Sequence, residues 1–222
     1  RAVLCGKTHV RADVNGMERL GIDPAGAKGK HIAEGGFEVW DRLDGLHPTG
    51  GKEPSHYNDY LRGKGFKGDN PWQDWAATVV DTDGTLKNGW LNENCHLPAR
   101  IPEEHSETAY STNRAIEFMA QAGDVPWCLH LSYIKPHWPI VAPAPYHNMY
   151  NIGDVIPPVR SEAERQEAHP VHAVNMDARH STAYNPDDHR AQMIATYMGL
   201  ITQIDDQIGR LMAWMEEVGK LD

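Results

Sequence analysis

The chain has 222 residues, of which 40% are hydrophobic and 23% are charged, and its formal net charge is −10 at pH 7. These values are typical of a soluble chain that forms one large domain or two small ones, and the negative charge argues against a nucleic-acid groove or an anionic membrane surface as partner. No run of about 18 apolar residues occurs, so we expect no transmembrane helix.

Short apolar segments predict the strands of a sheet. Residues 2–5 indicate a buried strand, and residues 37–40 indicate a second one. Residues 127–133 give the clearest strand of the chain. Because a helical pattern precedes this last strand, the order of elements favours an α/β fold with a mixed, largely parallel sheet flanked by helices.

Four segments lack a clear periodic pattern. Glycines at 25–36 predict a loop, and glycines and prolines at 44–55 predict turns. Residues 62–105 are predicted to be mostly irregular apart from 76–80, and a connection of that length usually carries function or wraps a neighbour. Residues 161–185 are polar and contain several histidines, and their pattern predicts no definite element.

Three helices have recognisable ends. Ser55 is expected to cap a short helix, and Ser106 begins a longer one that stops at Gly123. The longest helix begins after Asn185 and ends at Gly219. Its apolar residues recur at alternating steps of three and four, and we expect this stripe to face the core. The stripe consists of Ile194, Tyr197, Ile201, Ile204, Ile208, Leu211, Met215 and Val218.

A polar loop follows both the first strand and the clearest strand. Lys7 and His9 come two residues apart in the first loop, and Lys135 and His137 have the same spacing in the second. Ligands of open α/β sheets bind beyond the carboxyl ends of strands. A lysine ammonium can hold an ester oxyanion, and a histidine can donate a proton to a leaving alkoxide. The pattern indicates hydrolysis of a small anionic ester, with solvated lysines and backbone-bonded histidines as the alternative.

The segment 6–9, Gly-Lys-Thr-His, resembles the Gly-Lys-x-His segment of the type I sulfatases, a branch of the alkaline phosphatase superfamily. Residues 132–139 resemble the strand and loop that carry an active-site histidine in this family. Residues 97–108 and 144–150 are similar to the subgroup that includes phosphonate monoester hydrolases. Residues 197–211 resemble the family helix before its last metal-binding strand. The order and spacing of these segments carry the resemblance, which spans nearly the whole chain.

The resemblance implies an alkaline-phosphatase-like fold and hydrolysis of sulfate esters, or of phosphate or phosphonate esters, by a formylglycine nucleophile beside a divalent metal (Ca, Mg or Mn). It implies that Lys7, His9 and His137 are catalytic and contact the anion or assist the leaving group. Lys135 lies beside a matched position and is carried over as a substrate-binding candidate. Thr8 stands where the family commonly has an aromatic residue. The Lys–His pair favours sulfate esters, because phosphonate-acting members often lack it.

Parts of the family pattern are absent from this sequence. The nucleophile signature, Cys or Ser followed by x-Pro-Ser-Arg, does not occur, and we interpret the similar segment at 95–100 as unrelated because it has an extra residue and no Ser. The amino-terminal Asp pair and the Asp-His-Gly that bind metal are also missing. We therefore expect residues 1–222 to be the central part of a single catalytic domain, incomplete at both ends, with the metal ligands outside this chain. On its own the chain should show no turnover.

Two other functions stay open at this point. The segment 78–86 matches the first motif of haloacid-dehalogenase-like phosphatases, in which Asp81 would be the nucleophile and Asp83 the general acid/base, with a magnesium ion. A plain Asp-Gly turn is the favoured interpretation of this segment. A non-catalytic structural fragment is the second alternative. Histidines between 169 and 189 have elements of a zinc site but not its spacing.

The remaining expectations concern the surroundings of the protein. Its three cysteines are odd in number and widely spaced, which favours a reducing compartment over a disulfide framework. Localisation stays open between the cytoplasm and the periplasm of a bacterial type of cell. The expected partner is a small anionic ester, with no nucleic acid and no membrane, and homo-oligomerisation stays open.

Overall fold

The structure is a computed structural model that describes residues 1–45 and 55–221, so most of the turns predicted at 44–55 lie outside it. Its strands are β1 (Ala2–Gly6), β2 (Glu38–Arg42), β3 (Thr78–Val80), β4 (Leu86–Asn88) and β5 (Cys128–Ser132). Its α-helices are α1 (Val14–Arg19), α2 (Ala27–Ala33), α3 (His56–Gly63), α4 (Glu107–Ala122), α5 (Glu162–Gln166), α6 (Pro170–Asp177), α7 (Arg179–Thr182) and α8 (Asp187–Glu217). Within this described part, no helix is both long enough and apolar enough to cross a membrane.

The chain divides into two compact units. The first comprises Arg1–Asp74, Glu104–Lys135 and Ile204–Asp222, and the second comprises Trp75–Glu103 and Pro136–Gln203. Helix α8 therefore contributes its first half to the second unit and its second half to the first. That residues 1–222 form the central part of one catalytic domain stays a prediction.

The first unit is built on a parallel sheet whose strand order, in the described residues, is β2-β1-β5. Strand β1 lies in the middle, and its residues Val3 and Leu4 are fully buried because both faces of a central parallel strand are covered. The register sets Gly6 opposite Ser132 of β5 and opposite Arg42 of β2. The three predicted strands and the α/β fold with a parallel sheet flanked by helices are confirmed.

Helix α4 packs against this sheet. The side chain of Ser106 caps it by accepting a backbone N–H hydrogen bond, and Gly123 ends it with a φ of 57°. Phe118 and Met119 pack with Val3 in a buried apolar cluster. Burial of each such side chain stabilises the fold by about 1.5–3 kcal/mol. This cluster fixes the strands whose ends carry the polar loops.

The second unit contains the antiparallel hairpin of β3 and β4 and the first half of α8. Gly84, with a φ of 85°, closes the hairpin turn. An apolar cluster buries Cys95 and Leu200 almost completely. Helix α8 passes so close to a neighbouring loop that a Cβ at Gly199 would lie 2.0 Å from the carbonyl oxygen of Tyr146. A glycine is needed there for packing.

The prediction of a loop at 25–36 is wrong, because α2 occupies most of that segment. Gly29 is buried where the helix crosses the preceding chain, and a Cβ there would lie 2.3 Å from the carbonyl oxygen of Asp23. This glycine permits close packing instead of a turn. Strand β3 lies within 76–80, the stretch excepted from the irregular segment 62–105. Its partner β4 was not predicted, and neither were α5, α6 and α7 within 161–185.

Helix α8 is confirmed, but the burial predicted for its apolar stripe holds only in part. Leu211 packs against the apolar cluster of the first unit, whereas Tyr197 and Ile201 are 42% and 48% exposed. The helix instead buries Thr196 and Gln203. The hydroxyl of Thr196 donates to the carbonyl oxygen of Cys95 at 3.0 Å. Nε2 of Gln203 donates to the carboxylate of Glu103 at 3.3 Å. These hydrogen bonds offset the cost of burying polar groups.

Candidate active site

Two loops leave the same edge of the parallel sheet in the first unit. Strands β1 and β5 are adjacent and parallel, with Gly6 opposite Ser132, so the residues that follow them emerge side by side. Lys7 and His9 follow β1, and Lys135 follows β5. Both lysines are partly buried and His9 is exposed. Two ammonium groups thus come from neighbouring strand ends, where open α/β sheets bind ligands.

The end of β1 requires a glycine. Gly6 has a φ of +114°, and a Cβ on it would lie 2.0 Å from the carbonyl oxygen of Ser132. An L side chain would be strained there and would push β1 away from β5 at the point where Lys7 begins. The glycine of the Gly-Lys-x-His segment is thereby explained by the close approach of two strands.

Lys135 is held on a well-anchored loop. Burial lowers the pKa of its ammonium, and the Glu107 carboxylate partly counteracts that shift. The hydroxyl of Tyr133 lies 2.8 Å from Oγ1 of Thr112, which itself donates to the carbonyl oxygen of Thr108. Tyr133 must therefore be the donor in the first bond, and burial raises the pKa of this hydroxyl. The bond ties the loop to α4.

The loop after β1 is held by Arg42 at the end of β2. Nη1 of this arginine lies 3.3 Å from Oγ1 of Thr8, and Nη2 lies 3.4 Å from the carbonyl oxygen of Thr8. Arg42 also pairs with the carboxylates of Glu34 and Asp44. Reasoning from sequence missed Arg42, because its partner Thr8 lies 34 residues earlier. The sequence signal was weak: Arg42 lies two residues beyond the predicted strand 37–40.

His137 belongs to the second unit. Its imidazole is exposed, and Nδ1 lies 2.6 Å from the carbonyl oxygen of Trp138. A carbonyl oxygen only accepts hydrogen bonds, so Nδ1 carries the proton and Nε2 is the nitrogen left for a ligand. The side chain lines a cavity of ≈ 390 Å³ within the same unit.

The four predicted site residues are thus distributed over both units. Lys7, His9 and Lys135 share one edge of the sheet in the first unit, while His137 lies in the second unit, two residues after Lys135 along the chain. That these side chains meet on a single anion stays a prediction, and so do their individual roles.

The cysteine in the segment at 95–100 is unsuited to nucleophilic attack. Cys95 is 1% exposed, and burial raises the pKa of its thiol to about 11. A buried, protonated thiol is inert, because the thiolate is the reactive form. The structure thus supports the interpretation that this segment is unrelated to the nucleophile signature.

Asp81 and Asp83 lie in the exposed turn of the β3–β4 hairpin. Asp81 pairs with Lys87 at 2.5 Å, and Asp83 accepts a hydrogen bond from the backbone N–H of Thr85 at 2.8 Å. These contacts are the main causes that lower the pKa of the two carboxyls. Because β3 pairs antiparallel with the next strand, the two acids are not at a strand end of the parallel sheet. The plain Asp-Gly turn is confirmed.

A divalent metal is implied by the family resemblance. Among the side chains that the structure describes, no group of three or more His, Cys, Asp or Glu residues is arranged to hold a metal ion. The described residues therefore do not form a complete metal site.

Comparison with known sequences identifies relatives of this chain. The sequence profile of the Sulfatase family matches residues 50–222. The multifunctional alkaline phosphatase superfamily protein PehA of Trinickia caryophylli is 34% identical over 202 residues, which cover 82% of this chain and 37% of that protein. An arylsulfatase of Clostridium perfringens is 28% identical over 136 residues, which cover 61% of this chain and 27% of that protein.

Solved structures share the fold. The phosphonate monoester hydrolase SpPMH from Silicibacter pomeroyi matches 99% of this chain with a TM-score of 0.73 and 27% sequence identity. The phosphonate monoester hydrolase of Agrobacterium radiobacter also matches 99% of this chain, with a TM-score of 0.72 and 20% sequence identity. This chain spans 42% of each of those structures and 37% of PehA, which is well under half of their length. The fold is that of the alkaline-phosphatase-like hydrolases, and the chain belongs to the sulfatase family.

Proposed function

We propose that this chain is the part of an ester hydrolase that binds the charged group of the substrate and protonates its leaving group. The substrates are small sulfate esters, or phosphate or phosphonate esters. The observation that carries the proposal is that Lys7, His9 and Lys135 follow the carboxyl ends of adjacent parallel strands. Membership of the sulfatase family supports it, since relatives include an arylsulfatase and a phosphonate monoester hydrolase.

The two lysines bind the non-bridging oxygens of the sulfuryl or phosphoryl group. The net charge of −10 repels an anionic substrate, so binding needs a local concentration of positive charge. Lys7 and Lys135 provide it at one sheet edge. Because burial lowers the pKa of Lys135, its contribution is lost at a lower pH than that of an ordinary lysine.

His137 donates the proton that the leaving group needs. The bond between sulfur or phosphorus and the ester oxygen breaks, its electron pair stays on that oxygen, and the oxygen takes the proton from Nε2 of the imidazolium. Nδ1 stays bonded to the carbonyl oxygen of Trp138, so the ring keeps its orientation through the step. His9 binds the same anion from the loop after β1.

The nucleophile and the divalent metal (Ca, Mg or Mn) of the family are not matched within these 222 residues. We therefore expect no turnover of an aryl sulfate by the isolated chain, and hydrolysis by it would contradict the assignment of roles. Activity is expected from the natural protein that carries this chain.

The test replaces Lys7, His9 and His137 singly with alanine in the natural protein. We expect kcat/KM for para-nitrophenyl sulfate to fall by about 10²–10³-fold in each variant, while the thermal unfolding midpoint stays unchanged. Lys28→Ala and His31→Ala are matched controls, because both change exposed side chains of α2 and should leave the rate unchanged.

The same variants discriminate between the candidate functions. Parallel assays on sulfate, phosphate and phosphonate monoesters identify the charged group that the site prefers. Asp81→Asn should be harmless, because this residue forms a hairpin turn. Loss of phosphatase activity in Asp81→Asn with full activity in Lys7→Ala would favour the haloacid-dehalogenase mechanism. Full activity in every variant would leave the chain a structural role only.

A further inference from the structure

The cavity beside His137 is lined mainly by apolar and aromatic side chains. It has a volume of ≈ 390 Å³, and its walls include Trp138, Tyr184, Tyr197 and Met193. The three aromatic residues are between 39% and 43% exposed, so they are accessible parts of the cavity wall. A concave surface of this kind is typical of small-molecule sites, which combine apolar walls with a few polar groups.

One wall of the cavity is already fixed in position. The indole Nε1 of Trp138 donates to Oδ1 of Asn92 at 3.3 Å, and the ring of Trp90 meets it edge to face with centroids 4.4 Å apart. The carbonyl oxygen of Trp138 also accepts the hydrogen bond from Nδ1 of His137. The same residue therefore lines the cavity and orients the imidazole. An ordered wall loses little side-chain entropy when a ligand binds.

The charged groups of the cavity do not favour a second anion. Arg190 lines it, but its guanidinium donates to the carbonyl oxygens of Tyr184 at 3.0 Å and Asn185 at 3.2 Å, and it pairs with Asp187. No acidic side chain is among the described residues that line the cavity. An apolar occupant therefore matches the cavity better than a charged one.

We infer that this cavity binds the leaving group of the ester, that the leaving group is an apolar ring, and that Trp138 and Tyr197 determine this specificity. The inference rests on the proposed function. In that function His137 protonates the bridging ester oxygen, and this oxygen is part of the leaving group. The rest of the leaving group lies next to His137, where Trp138 and Tyr197 supply the wall. A ring stacked on these side chains gains both buried area and aromatic contact.

The kinetic test compares two esters of the same acid in the natural protein, the para-nitrophenyl ester and the small trifluoroethyl ester. Trp138→Ala and Tyr197→Ala should each lower kcat/KM for the para-nitrophenyl ester about tenfold, mainly through KM, with little change for the trifluoroethyl ester. Trp138→Phe should recover most of the loss. Ile201→Ala is the matched control, because Ile201 is exposed one turn further along α8 and does not line the cavity.

A binding measurement separates this inference from the proposed function. Calorimetric titration with para-nitrophenol should give an affinity that falls about tenfold in Trp138→Ala and Tyr197→Ala and not in Ile201→Ala. Unaltered affinity and unaltered ester preference in both variants would overturn the inference and leave the proposed function intact. If His137→Ala is fully active, or if no ester is hydrolysed, the proposed function fails. Weaker para-nitrophenol binding by Trp138→Ala and Tyr197→Ala would still identify a ring-binding cavity in that case.

Discussion

Replacing Asp41 with asparagine keeps the shape of the side chain and removes a buried negative charge from the first unit. Asp41 lies in β2 and is 2% exposed. Its Oδ2 accepts hydrogen bonds from the hydroxyl of Tyr110 at 2.6 Å and from Nε of Arg114 at 2.7 Å, both on α4. Nδ1 of His56 lies 3.4 Å from Oδ1. The carboxylate therefore joins the sheet to the helix that covers it.

The expected loss follows from these two short hydrogen bonds. A hydrogen bond to a charged group stabilises a protein by about 1.5–3 kcal/mol, and one between neutral groups by about 0.5–1.5 kcal/mol. In Asp41→Asn the bond from Tyr110 joins neutral groups and weakens by about 1–1.5 kcal/mol, and the charged guanidinium of Arg114 loses its counter-charge at a cost of about 1 kcal/mol. The substitution should therefore lower the free energy of unfolding by about 2–3 kcal/mol. Burial, reinforced by the carboxylate, raises the pKa of Tyr110 well above its usual value, which keeps this hydroxyl a donor.

The assay is urea unfolding followed by the NMR signal of the Trp40 indole N–H, which donates to the carbonyl oxygen of Arg114 at 3.0 Å. Glu117→Gln is the matched control, because Glu117 pairs with the same guanidinium at an exposed position and should cost at most about 1 kcal/mol. Equal losses for Asp41→Asn and Glu117→Gln would refute the view that the buried carboxylate is the dominant link between β2 and α4.

Three further predictions concern glycine geometry, pH and thiol chemistry. Gly6→Ala should lower the urea midpoint, since backbone strain alone costs about 1–3 kcal/mol and the new Cβ would clash with β5. Burial, with a smaller effect of a nearby histidine, lowers the pKa of His147 from 6.5 in the folded state, so the unfolded state takes up its proton first as the pH falls. The stability should therefore decrease as the pH falls through about 6.5, the value of the unfolded state, measured by urea titration at each pH. In Ellman titration of the folded chain only Cys128 should react fast, because Cys5 and Cys95 are buried with thiol pKa values of about 12 and about 11.

Each of these predictions has its own control. Gly63→Ala introduces a methyl group into open space at ordinary backbone angles, so it should leave the midpoint unchanged or raise it. His147→Asn removes the titrating group and should flatten the pH response, whereas an identical response in the variant would assign the effect to other groups. Two or three fast thiols in the folded chain would mean that the buried cysteines are accessible.

Local patterns predicted the elements whose formation depends mainly on their own residues. The residues of strand β1 form one uninterrupted apolar run, as expected for a strand that is buried on both faces. Helix α4 begins and ends at the predicted capping residues, Ser106 and Gly123. The α2 helix was missed because a glycine such as Gly29 gives the same sequence signal whether it forms a turn or permits close packing.

Interactions between distant residues decided what the sequence could not predict. The apolar period of α8 is clear, yet the helix buries Thr196 and Gln203, whose hydrogen-bond partners lie 101 and 100 residues earlier in the chain. In the candidate site, the strand ends carrying Lys7 and Lys135 were predictable because adjacent parallel strands share one edge. The division of the chain into two units, which assigns His137 and the other three candidates to different units, has no local signal in the sequence.

Thr8 connects the departure from the family pattern with the geometry of the site. The family commonly has an aromatic residue at this position, between the Lys7 and His9 positions, and a ring can fix a loop by packing. In this chain the hydroxyl and the carbonyl oxygen of Thr8 accept hydrogen bonds from Arg42, and Glu34 pairs with the same guanidinium. A hydrogen-bonded clamp therefore holds the backbone between the two candidate side chains, Lys7 and His9. Thr8 and Arg42 consequently act as a pair. A ring in place of Thr8 would remove the hydroxyl that Arg42 binds, and loss of Arg42 would release the loop.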